Sequence, residues 1–150
     1  MASIVSNAFK ARLLGDDSII STAINLKTDT IKLSLHSSSF TPSADDDEFF
    51  DDVDNEVASS GSYTTGIAGG YTLASKTTTT DDTDDEGVFD AADVSITGAS
   101  ISARYAVIRK DTGVAATSPI ICIIDFGSTI TSTAGTFTIT FSSEGILNLN

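Results

Sequence analysis

The strongest constraint on the fold lies in residues 101–150, where apolar and polar side chains follow the two-residue period of a β-strand. Gly135-Thr-Phe-Thr-Ile-Thr-Phe141 alternates strictly, with Phe137, Ile139 and Phe141 on one face and Thr136, Thr138 and Thr140 on the other. Ile101 to Arg109 alternates as well, and Pro119 to Phe126 is apolar almost throughout. Successive side chains of a strand point to opposite faces, so this pattern suits half-buried sheet, with Ile120 to Ile124 at its centre. Upstream, Thr30 to His36 alternates and places Ile31, Leu33 and Leu35 inward and His36 outward. Tyr71 to Thr80 and Gly87 to Thr97 read as strands around an acidic turn, and Ile146 to Leu149 as a short last strand. Asp111-Thr-Gly113 and Thr133-Ala-Gly135 read as turns. About seven strands in one chain predict a mainly β fold, a single antiparallel β-sandwich over residues 16–150.

Residues 1–15 break this pattern. From Ser3 to Leu14, Val5, Phe9 and Leu13 recur at four-residue spacing beside Ile4 and Ala8, the stripe of an amphipathic helix. Ser3 would cap its start, Lys10 and Arg12 suit the negative end of its dipole, and Gly15 would close it. Such a helix packs on its own sheet or serves as a docking arm onto a neighbouring subunit, with Ile4, Val5, Phe9 and Leu13 in contact. A second, short helix is predicted over residues 47–53, because Phe49, Phe50 and Val53 fall three and four apart. Residues 37–46 read as a loop through Pro42, and residues 58–70, with four glycines, as a flexible connection or wide hairpin.

Charge is unevenly placed. The net charge is −13, yet Asp45 to Glu56 holds eight acids and Asp81 to Asp93 seven, with no base in either. Those fifteen leave six acids against eight Lys and Arg, so the remainder of the chain stands at +2. Both segments would repel a phosphate backbone, so neither nucleic acid nor an anionic membrane is an expected partner. The first segment reads as a solvated helix face anchored by Phe49 and Phe50, or as a contact patch for a basic partner surface. One domain of 150 residues can bury roughly two-thirds of its unfolded surface without staples. Cys122 is the single cysteine, so an internal disulfide is impossible. Together with the absence of a signal-like opening and of a membrane-length apolar run, this suits assembly in a reducing cytoplasm.

Few residues could carry chemistry. His36 is the only histidine and reads as exposed on a sheet, without the positioned partner a general base needs. Cys122 sits within Ile120-Ile-Cys-Ile-Ile124, where it behaves as a small buried hydrophobe. Nucleophile elbows, phosphate loops and Cys/His metal clusters are absent from the sequence, and an enzyme is not expected. One motif has metal-ligand spacing. Asp82, Asp84, Glu86, Asp90 and Asp93 occupy positions 1, 3, 5, 9 and 12 of a twelve-residue loop with Gly87 at 6, the order in which a calcium loop presents oxygens. Position 12 lacks the bidentate Glu and no helices flank the loop, so a solvated hairpin turn is the plainer reading.

The ordered series of short motifs resembles a family of small structural proteins of tailed bacteriophages. It comprises Ile24-Asn-Leu26, Thr28 to Leu33, Phe40-Thr-Pro42, acids before Phe49 and Phe50, Gly70 to Leu73, Lys76-Thr77 and Val88 to Val94. It continues through Ala103 to Gly113, Thr117 to Ile120, Ile124-Asp-Phe-Gly127, Phe137 to Ser142 and Gly145 to Leu147. The series covers most of the chain, which departs from the family in the charge of its second acidic segment and in lacking tryptophan. The resemblance implies a virion component and carries over no catalytic residues. Its leading expectation is a capsid decoration or cement protein on the head, a homo-oligomer and most simply a trimer, bound to the major capsid protein. The alternatives are a neck, tail or baseplate component, or a host-surface binding module using residues 59–72.

Overall fold

The alternating segments become strands wherever a second apolar surface is there to cover them. The computed structural model describes residues 4–15 and 23–150. Among the described residues, ten strands and one α-helix occur: β1 (Ile4–Val5), α1 (Asn7–Leu13), β2 (Ile31–His36), β3 (Tyr71–Thr72), β4 (Thr77–Asp81), β5 (Glu86–Asp90), β6 (Val94–Ala99), β7 (Ser102–Lys110), β8 (Ile120–Thr131), β9 (Gly135–Ile139) and β10 (Leu147–Leu149). They form a five-stranded sheet in the order β1-β8-β7-β2-β3, a three-stranded sheet β10-β5-β4, and a two-stranded sheet β6-β9. Every pairing is antiparallel.

The centre of the large sheet is apolar on both faces. Leu33 lies opposite Ile108, Ile108 opposite Cys122, and Ala106 opposite both Leu35 and Ile124. Residues opposed in an antiparallel pair share a face. This face joins Phe89, Val94, Ile96, Phe137, Ile139 and Leu147 from the other two sheets in one cluster. On the reverse face, Tyr105, Val107, Ile120 and Ile123 pack with Phe40 and Phe50. A sheet covered on both sides needs near-continuous apolar strands, which is why Ile120 to Ile124 does not alternate. Phe137, Ile139 and Phe141 are buried and Thr136, Thr138 and Thr140 exposed, as their period requires.

Several expectations are corrected. The N-terminal helix is shorter than its stripe: Ile4 and Val5 are a strand paired with Ile123 and Cys122, and α1 starts after Ser6. Ser3, expected as its cap, lies outside the described residues. Strand pairing wins over a first helical turn because it covers the edge of β8. Gly15 does close the helix, with φ +99° and its N–H donating to Arg12 O at 3.0 Å. No helix forms over residues 47–53. The Phe50 N–H donates to Ser118 O at 3.0 Å and the Ile120 N–H to Glu48 O at 2.8 Å, so Glu48 to Phe50 runs extended beside the start of β8. Asp52 accepts from the Glu48 and Phe49 N–H groups, the local bond by which Asp competes with helix. A helix would also have stacked Asp47 over Asp51 and Glu48 over Asp52.

His36, expected outward, is fully buried, because residues 37–70 fold over the face it occupies. Tyr71 to Thr80 and Gly87 to Thr97 each split into two strands. The glycine-rich stretch is packed: a Cβ on Gly61 (φ +59°) would lie 2.2 Å from Thr97 O, and one on Gly69 2.0 Å from Thr64 O. Among the described residues, no helix is long and apolar enough to cross a membrane.

Candidate functional site

Among the described residues, a set of buried polar groups lies where residues 37–70 cover one face of β2 and β7. β2 and β7 set Lys32 opposite Arg109, with Ser34 and His36 on the same face two and four residues on. Arg109 is fully buried. Its guanidinium carbon lies 3.7 Å from the centroid of the Phe50 ring, a stacked cation–π contact. Its Nη2 faces the carbonyls of Gly66, Ile67 and Gly69 at 3.4 Å each. Burial lowers the Arg109 pKa, and the nearby negative charge of Glu56 and Asp111 opposes that shift. Lys32 donates from Nζ to Ala68 O at 3.1 Å and pairs with Asp111 at 2.7 Å. Two neighbouring cations thus hold consecutive carbonyls of the 66–69 turn.

Tyr63 and Glu56 complete the cluster. The Tyr63 hydroxyl donates to Glu56 Oε1 at 2.7 Å and accepts the Leu35 N–H at 2.9 Å. The other Glu56 oxygen accepts the Gly66 N–H at 2.9 Å. Burial, reinforced by Glu56, pushes the Tyr63 phenol well above its ordinary range. His36 Nδ1 lies 2.6 Å from Asp54 O. A carbonyl only accepts, so Nδ1 carries the proton, and Ser34 Oγ, 3.0 Å from Nε2, donates to the free nitrogen. Burial lowers the His36 pKa, offset in part by Asp54 and Glu56. Arg109, Lys32, Tyr63, Glu56, His36 and Ser34 all have packing or hydrogen-bonding roles between the loop and the sheet. The one hydroxyl–imidazole pair among them, Ser34 with His36, is fully buried beneath that loop.

The residues singled out from sequence are dispersed. Phe9 and Phe50 lie in the core, Ile4, Val5 and Phe49 are half-buried within this chain, and Leu13 is exposed. Cys122 is buried, and desolvation pushes its thiol up to about 12. The five proposed calcium ligands are drawn out along the β4–β5 hairpin. Asp82 and Asp84 lie in the turn, Glu86 and Asp90 at opposite ends of β5, and Asp93 beyond it. Glu86 accepts from Asn148 Nδ2 at 2.6 Å and Asp93 from the Phe141 N–H at 3.0 Å. Among the described residues, the carboxylates that do approach are Asp81, Asp84 and Glu144, one oxygen from each within 4.8 Å of the others.

Arg109, Tyr63 and Glu56 were not singled out by the spacing argument. One signal was there: Tyr105, Val107 and Arg109 share a strand face, so the guanidinium ends an otherwise apolar row. Comparison with known proteins gives no match to a family model, to a curated protein or to a solved structure.

Proposed function

We propose that this chain is a structural protein of a tailed-bacteriophage virion, and specifically a decoration or cement protein of the head. The observation that carries the structural role is the use of Arg109, Tyr63, Glu56 and His36 to fix residues 37–70 onto a sheet already buried on its other face. Polar groups that could have formed a reactive site instead make a rigid body. The virion assignment rests on the motif series running from Ile24 to Leu147. The architecture that goes with this reading is a β-sandwich, supported by one apolar cluster shared among all three sheets. On a capsid, many weak contacts repeated over the lattice would sum to a shell that resists internal DNA pressure.

Copy number tests it. Quantitative mass spectrometry of purified particles is expected to give hundreds of copies, and particles lacking the protein to lose resistance to heat and osmotic shock. Twelve copies or fewer would move the protein to the neck, tail or baseplate. Absence from particles would end the virion reading.

A further inference from the structure

β4 ends the three-stranded sheet, and no strand among the described residues pairs with its outer side. Thr77 to Thr80 are exposed on both faces. An open strand edge presents a row of unpaired N–H and C=O groups, and monomeric proteins normally blunt it with proline, an inner lysine, a bulge or extreme shortness. β4 has none of these: its sequence is Thr77-Thr-Thr-Thr-Asp81, and its five pairs with β5 run without a register shift. The large sheet is protected by comparison. β3 is two residues long, while β8 is covered in part by β1 and shifts register beyond it.

We propose that a second copy of this chain pairs with β4, antiparallel, about a twofold axis at Thr79. Charge selects both the occupant and the direction. A single cation, Lys76, precedes the strand, and Asp81 and Asp82 follow its threonines, with Asp84 and Asp85 also at the hairpin tip. The antiparallel arrangement sets Lys76 beside Asp82 of the partner subunit twice over, and Thr78 beside Thr80 of the partner subunit. Parallel pairing would instead bring the two acidic tips together. Opposite-charge and Thr–Thr cross-strand pairs are each stabilising, and β-branched threonine favours the extended form. The interface does not depend on the virion reading, and its twofold symmetry leaves other faces free for a lattice.

Sedimentation equilibrium and amide hydrogen exchange on the purified full chain test it. A concentration-dependent twofold mass is expected, with the amides of Thr77 to Asp81 slowing as the pair forms. Lys76→Glu turns both opposite-charge pairs into like-charge pairs and should raise the dimer dissociation constant at least about tenfold. Adding Asp82→Lys to Lys76→Glu should restore it, and Thr79→Lys should abolish pairing by facing two lysines across the axis. Thr79 is exposed, and an unchanged circular dichroism spectrum will show that its variant folds. A single-chain mass at millimolar concentration, or a dimer indifferent to all three variants, would overturn the proposal. So would an assembly whose Thr77 to Asp81 amides exchange as fast as in the dilute chain.

Discussion

The two acidic segments have nearly the same composition and opposite fates. Asp45 to Glu56 is stitched to the large sheet by Glu48 and Phe50 backbone bonds, by the Phe50 ring over Arg109, and by Asp54 O on His36. Asp81 to Asp93 is a hairpin whose tip, Asp82 to Asp85, is exposed, held by Asp81 accepting from the Thr83 and Asp84 N–H groups. Acid content did not decide between them. The first segment carries Phe49, Phe50 and Val53 among its acids, and the second has no large apolar group before Val88. An aromatic anchor can offset the desolvation of nearby carboxylates, whereas a bare acidic turn is most stable in water.

That contrast can be broken most directly at Phe50. Phe50→Ala removes the buried ring and the cover of the Arg109 guanidinium, and should cost about 3–4 kcal/mol in urea unfolding. A loss below 1 kcal/mol would mean that the first segment is as loosely held as the second. Tyr63→Phe comes next, because it leaves the Leu35 N–H and a Glu56 oxygen without their partner; about 1–3 kcal/mol is expected, read by the same method.

The pH dependence sharpens the comparison. His36 has a folded pKa below its ordinary 6.5, so below that value the unfolded chain binds more protons and stability falls with falling pH. Against their partial burial, Asp29 is held below 3.8 by the Asn25 N–H and Lys110, and Asp111 by Lys32 and the Gly113 N–H. Both contribute stability above 3.8 that is lost as pH falls through their folded values. Asp47 opposes them: burial and neighbouring acids raise its pKa, so acidification relieves it. Thermal melts from pH 7 to 5 should show a decline that His36→Gln flattens; an equal slope in both proteins would remove His36 from the account. The smallest effect belongs to the hairpin tip. Asp82→Asn and Asp84→Asn should each stay within about 0.5 kcal/mol of the parent. Calcium and chelator should leave the melting temperature in place. A calcium-dependent rise that Asp84→Asn abolishes would give the tip a role the hairpin geometry does not suggest.

The strands were legible because their evidence is local. Ile31, Leu33 and Leu35, and Phe137, Ile139 and Phe141, declare their inward faces by period alone, and all six are buried. His36 was misjudged for a physical reason: alternation reports which face a side chain is on, never whether another segment covers that face. The helix expected over residues 47–53 failed likewise, since spacing of three and four is blind to the pairing that Ser118 and Ile120 offer the backbone.

Sequence by itself determined the β class, the turns, the burial of Cys122 and the confinement of the excess negative charge to two segments, because each follows from neighbours within a few residues. Tertiary structure alone decided that residues 37–70 close over the second face of the sheet. That choice depends on Arg109 meeting Phe50 and the 66–69 carbonyls, and on Tyr63 reaching Leu35, contacts spanning 28 or more residues. No local period encodes them; they form because a buried guanidinium and an open strand edge both need partners.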